Sequence, residues 1–296
     1  MKVSSFNFVN LQTFKYDNQN PMNGKRVLFV SSEVSPYLAE NEISTISFEA
    51  PKMVNSIGGQ TRIFMPRFGN INERRHQLHE VIRLSGMNLV INDLDIPLII
   101  KVASIPKERM QVYFIDNEDY FKRKATFTDE DGKLFEDNDE RAIFFAKGVM
   151  ETVKKLNWAP DIIHINGWLA SLLPLYLRNY YGNEPLYKQT KIVTSIYNEN
   201  FEGTLNHKLK RKVQFDGIDK DKVQLLEKPS FLNLMKIAAE YSDAIIWGSK
   251  ENDPEIREYV ENLDLPQLDY VPREEFAQAY QNFYQFDVLE LDESEI

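Results

Sequence analysis

Cysteine is absent from all 296 residues, which excludes disulfides, thiolate nucleophiles and sulfur-ligated metals and leaves only His, Asp and Glu as metal ligands. No long hydrophobic run is present either. Nothing approaches the roughly 18 consecutive apolar residues of a membrane helix, so no membrane partner is expected. The opening stretch "MKVSSFNFVNLQTFKYDNQNPMNG" lacks the apolar core and cleavage site of a secretory signal, and the expected location is the cytoplasm. Basic charge is in deficit. Thirty-five Lys and Arg stand against 45 Asp and Glu, and the formal charge of −10 argues against a nucleic-acid partner. No G-x-G-x-x-G run follows the first apolar segment, which weighs against a generic Rossmann-type nucleotide binder.

What is present is an ordinary globular balance, 43% apolar and 27% charged, in a chain long enough for one large domain with ragged ends. Short apolar runs recur, each followed by a segment of helical periodicity: "RVLFVS" (26–31), "TRIFM" (61–65), "DIIHI" (161–165), "KIVTSIY" (191–197) and "DAIIWGS" (243–249). This alternation predicts an α/β, Rossmann-like doubly wound, mainly parallel sheet. Between Arg83 and Ile115 the β-branched runs lie too close together for crossover helices, which predicts an antiparallel β insertion. The polar stretch "FKRKATFTDEDGKLFEDNDE" reads as a surface loop. From Asp139 an amphipathic helix is expected, with Ile143, Ala146, Val149 and Val153 on one face. The adjacent glycines of "SIGGQ" precede a strand and read as a helix C-cap. The expected layout is an irregular segment over 1–24, the domain over 25–265, and a C-terminal helix with an acidic tail over 266–296. After Glu251 the chain is too short for another domain, and the remnant is expected to pack back on the sheet.

Six stretches, "VLFVSSEVSPY", "APKMVNSIGGQTRIFMPRFGNINE", "DNDERAIFFAKGVMETV", "APDIIHINGWLASLLPLYL", "SIYNENFEG" and "FLNLMKIAAEYSDAIIWGS", occur in the order and spacing of bacterial glycogen (starch) synthases. The chain resembles the N-terminal half of that family over roughly residues 25 to 255. The resemblance implies one domain of a GT-B glycosyltransferase, which extends an α-1,4-glucan from ADP-glucose in a cleft between two Rossmann-like domains. It implies α-glucan and ADP-glucose as ligands and no cofactor.

The departures from the family pattern are specific. Where the family carries Lys-x-Gly-Gly-Leu-x-Asp after the first strand, this sequence has Ala39 at the lysine, Asn41 and Glu42 at the glycines, and Thr45 at the aspartate. Side chains obstruct close backbone approach, and a carboxylate beside a diphosphate adds repulsion of about 1 kcal/mol or more at 4 Å. The His-x-His-Asp-Trp-His block reads "HINGWL": His164 and Trp168 match, and Asn166 replaces a histidine that the family holds near the transferring sugar. Asparagine can hydrogen-bond a hydroxyl and takes up no proton near neutral pH. In "YNENFEG", Asn198 and Gly203 are kept and Tyr197 stands for a histidine, while Asp137 matches the family's acidic residue at the cleft.

By resemblance, then, Asp137 and Asn166 are the catalytic candidates, and His164, Trp168, Asn198 and Gly203 the substrate-binding candidates. Structural roles compete with these: a buried histidine, a core tryptophan, and a helix cap for Asp137. His76 and His79 are three apart with no third ligand nearby, so no metal site is expected. Two functions remain open, a glucosyltransferase of the synthase type, weak or inactive alone, and a non-catalytic descendant that binds glucan or a protein partner.

Overall fold

The computed structural model describes residues 22–291. Most of the 1–24 segment and the end of the acidic tail lie outside the described residues. In chain order the elements are β1 (Arg26–Ser31), α1 (Glu42–Ser56), β2 (Gln60–Pro66), α2 (Glu73–His76), β3 (His79–Glu80), β4 (Met87–Ile91), β5 (Leu94–Ile105) and β6 (Met110–Asp116). Then come α3 (Glu118–Phe121), α4 (Asn138–Lys155), β7 (Ile162–Asn166), α5 (Leu173–Asn179), β8 (Lys191–Ile196) and α6 (Leu209–Phe215). The last are α7 (Phe231–Glu240), β9 (Ala244–Trp247), α8 (Pro254–Glu261), β10 (Gln267–Leu268) and α9 (Phe276–Asn282), which runs on as a wider π-helical stretch, Phe283–Val288.

The sheet order is β10-β9-β8-β7-β1-β2-β6-β5-β3, with β4 paired to β5 outside that path. From β10 to β6 every pairing is parallel. Such strands are covered on both faces and so read as unbroken apolar runs: Val27 to Val30 and Ile162 to Ile165 are all fully or almost fully buried. The expected fold class is what is found. The expected insertion between Arg83 and Ile115 differs in two respects: β4 and β5 are antiparallel as read, but the pairing also takes in β3 before Arg83, and β6, antiparallel to β5, joins the main sheet parallel to β2. A sequence-local pattern of close strands cannot show which neighbour a strand will take.

Crossovers in parallel sheets are right-handed, which fixes the face of each helix. The chain leaves β1 toward β2 through α1, but runs in the opposite direction from β7 to β8, β9 and β10. Hence α1 lies on one face, and α4, α5, α7 and α8 on the other. The helix contacts agree, with α4 on α5, α5 on α7 and α7 on α8, while α1 packs on α9. The crossovers leave the α1 face of β7, β8 and β9 uncovered, and the C-terminal segment fills that place.

This cover is held by a buried polar chain. His164 of β7 is fully buried; its Nδ1 lies 2.6 Å from the hydroxyl of Tyr284 and its Nε2 lies 2.7 Å from Ser195 Oγ on β8. The rings of Phe29, Tyr280 and Tyr284 surround the imidazole at centroid distances of 5.5, 6.1 and 5.9 Å. Both ring nitrogens therefore have partners, which is what a buried imidazole requires. Tyr284→Phe removes one of them while keeping the ring. The expected cost is about 1–3 kcal/mol in urea unfolding; an unchanged midpoint would mean that the C-terminal segment does not hold the sheet in this way.

Candidate functional site

Because α1 leaves β1 in one direction and α5 leaves β7 in the other, the strand order reverses between these two neighbours. Doubly wound sheets bind ligands in the crevice at the carboxyl ends of such strands. The residues there are Ser32 and Glu33 after β1, Asn166 to Trp168 at the end of β7, Tyr197 to Gly203 after β8, and Gly248 and Ser249 after β9. The backbone is drawn tight. Gly167 has φ +84°, and a Cβ there would lie 1.8 Å from Ser32 Oγ. A Cβ on Gly248 would lie 2.3 Å from the ring of Tyr197.

The segment expected as a turn carrying Ala39, Asn41, Glu42 and Thr45 is instead the beginning of α1, with Glu42 and Thr45 inside the helix. Asn41 is its N-cap. The Asn41 side-chain oxygen accepts from the Ser44 backbone N–H at 2.7 Å, and Ser44 Oγ accepts from the Asn41 N–H at 2.9 Å, a reciprocal capping box. Asn41 Nδ2 donates to Glu33, and Ser249 Oγ donates to the Glu42 carboxylate. At the helix start the Ser44 N–H is thus taken by the protein's own Asn41 side chain. Two acids stand beside it.

Asn166 is fully buried at the end of β7, and its Oδ1 accepts a 2.6 Å hydrogen bond from Tyr197 Oη, while its Nδ2 has no protein partner. The two residues standing where the family has histidines therefore hold each other. Neither side chain exchanges a proton near neutral pH: Asn166 has no titrating group, and burial raises the Tyr197 hydroxyl far above its ordinary value. His164 behaves likewise. Burial without a countercharge lowers its imidazole to about 3, so it is neutral in the folded protein.

The remaining candidates divide by exposure. Trp168 is 3% exposed, packed between Phe127 and Phe201 at centroid distances of 4.8 and 5.1 Å, so no ring face is open for stacking on a sugar. His164 is likewise closed to ligand contact. Asp137 occupies the N-cap position of α4 but makes no side-chain cap hydrogen bond, which corrects the capping alternative; its Oδ2 accepts instead from Arg123 at 2.7 Å. The Asn198 backbone N–H is tied to Ser249 Oγ at 2.9 Å, and its side chain is exposed. Gly203, at φ +82°, lines an open cleft of about 820 Å³ between the 128–136 and 200–207 loops, together with Asp131, Lys133, Phe135, Asn206 and His207. His76 and His79 fall at the end of α2 and in β3, and no group of three or more metal-type ligands exists among the described residues.

Two carboxylates emerge that the motif reading passed over. Glu33 follows β1 directly and its carboxyl is raised by burial, opposed by the Asn41 hydrogen bond. Glu199, inside "YNENFEG", accepts from the Trp168 backbone N–H; burial first, and the Glu33 charge second, push its carboxyl up to about 8. Glu33 was legible as the acid closing the first strand run. Glu199, inside "YNENFEG", carried no signal of its own in the sequence.

The matching family model is the starch synthase catalytic domain, over residues 26–266. The chain belongs to that family. It is 36% identical over 233 residues to a glycogen synthase of Chlorobium phaeobacteroides, covering 78% of this chain and 47% of that one. It is 35% identical over 226 residues to a glycogen synthase of Chlorobium limicola, covering 76% and 46%. The chain therefore spans about half the length of these curated relatives. A solved structure titled as the catalytic domain of Starch Synthase IV from Arabidopsis thaliana bound to ADP and acarbose superposes with a TM-score of 0.65 over 86% of this chain and 53% of that one. At 14% identity this match speaks for the fold alone. No helix among the described residues is long and apolar enough to cross a membrane.

Glu199 supplies a pH test. An acid whose folded pKa is raised contributes stability that is fully present below its unfolded value near 4.5 and is lost as pH rises through about 8. Glu199→Gln keeps the neutral shape, so unfolding midpoints of wild type and variant should diverge between pH 5 and 8.5, with wild type losing more. Parallel curves would show an ordinary carboxylate at this position.

Proposed function

We propose that this chain is the acceptor-side unit of a glycogen-synthase cleft, which binds α-glucan and on its own transfers glucose from ADP-glucose weakly or not at all. The observation that carries this reading is the start of α1. Its capping box, with Glu33 and Glu42 beside it, opposes a doubly charged leaving group, whereas the open cleft lined by Phe135, Lys133, Asp131, Gly203 and Asn206 offers the mixture of apolar and hydrogen-bonding groups that a polyhydroxylated chain requires.

In this assignment Gly203 borders the glucan in the open cleft, Asn198 lines the neighbouring cavity that shares Asn200 and Phe201 with it, and Asp137, paired with Arg123, follows Glu136 of the cleft wall. Asn166, His164 and Trp168 are buried and contribute structure, not contacts to the glucan. The unit is residues 25–265, with 266–296 as a C-terminal helix and tail closing the sheet, and its place of action is the cytoplasm. Full GT-B transfer from ADP-glucose belongs to this unit joined with a second Rossmann-like domain, whose Arg, Lys and Glu grip the diphosphate in the family; a protein partner carrying that set is the second reading.

A native affinity gel containing glycogen, run beside an ADP-release assay with ADP-glucose and glycogen primer, tests both parts. Retarded migration with no ADP above the buffer control is expected. Unretarded migration overturns glucan binding, and steady ADP release by the chain alone overturns the claim of weak or absent transfer.

A further inference from the structure

A second cavity, of about 230 Å³, shares no lining residue with the open cleft and lies between α1, the end of β9 and the C-terminal segment. Its walls are Asn41, Glu42, Thr45 and Glu49 from α1, Trp247 and Gly248 from β9 and its end, and Tyr270, Arg273, Phe276 and Tyr280 from the segment that covers the sheet. We propose that this cavity is a binding site for one neutral sugar ring, the glucosyl end of a short maltooligosaccharide, separate from the cleft that takes the polymer.

Volume, lining and charge each narrow the occupant. The space, about 230 Å³, is on the scale of a single sugar ring with the rest of a short chain extending outward. Aromatic side chains with carboxylate, amide and hydroxyl groups around them match a ring with apolar C–H faces and a hydroxyl edge. Anions are disfavoured because Glu42 and Glu49 both line the cavity, and Arg273 is already paired with Glu49. Cations are disfavoured as well. The Arg257 guanidinium already lies 4.3 Å from the centroid of the Trp247 ring, which occupies the attraction that an aromatic cage would offer a second positive charge.

Tyr270 is the residue to change. It is 38% exposed, so its removal leaves the core intact, and it does not line the open cleft. Choosing glucose among neutral sugars rests on the proposed glucan function; the cavity and its preference for a neutral polyol do not.

The test is amide NMR of the full chain titrated with maltose, following Thr45, Gly248 and Val271, with the glycogen affinity gel run in parallel. Wild type should show saturable shifts at these three positions. Tyr270→Ala should weaken them by about tenfold, the size of one lost aromatic contact, while retention on glycogen persists. Shifts confined to residues 131–136 and 200–207 overturn this inference and leave the glucan function standing. Shifts at the three positions with no glycogen retention support the inference and sink that function. Unaltered maltose binding by Tyr270→Ala, or the same shifts with tetramethylammonium and none with maltose, overturn it.

Discussion

The start of a helix leaves backbone N–H groups without intrahelical partners, and what answers them fixes what the site can hold. In this chain one of them, the Ser44 N–H of α1, is answered from within by Asn41 in a reciprocal box, and the flanking groups are Glu33 and Glu42. Acidic side chains interact favourably with the positive end of a helix, so the arrangement stabilises α1 by the same electrostatics that would otherwise attract a phosphate. The histidine positions of the family, filled by the hydrogen-bonded pair Asn166 and Tyr197, fit the same pattern. At both places the chain's own groups are hydrogen-bonded to one another.

The sheet explains how the unit stays folded with this change. One face of β7, β8 and β9 is not covered by any crossover helix, and α9 with its π-helical extension supplies the cover. The buried Tyr284–His164–Ser195 chain fixes its register. His164 thereby joins a structural network. A buried neutral histidine with two partners stabilises above its unfolded pKa, a contribution lost as pH falls from about 6.5 toward 3.

Most of the parallel sheet could be read from the sequence because strands buried on both faces announce themselves as apolar runs. β1, β7 and β8 lie within a residue or so of the expected spans, and "SIGGQ" does end α1, with Gly58 at φ +91° directly after its C-cap. The start of α1 was harder to read. Its cap uses Asn and Ser in place of the common Ser/Thr-x-x-Glu/Gln pattern, and Pro51 argues locally against a helix that tertiary burial of Ala50, Met53 and Val54 nevertheless sustains. Site residues divide in the same way. The carboxyl ends of the strands were legible, whereas the burial of Trp168 and His164 and the raised carboxyl of Glu199 come from contacts made by segments distant in the chain. Nothing local foretells that Tyr284 will meet His164, 120 residues away.

The central claim is that the α1 start does not take a nucleotide diphosphate. Calorimetric titration of the chain with ADP-glucose measures this directly, without need of a primer or turnover. The account predicts no saturable heat up to about 1 mM ligand; a stoichiometric isotherm with a Kd tighter than about 10 μM would contradict it.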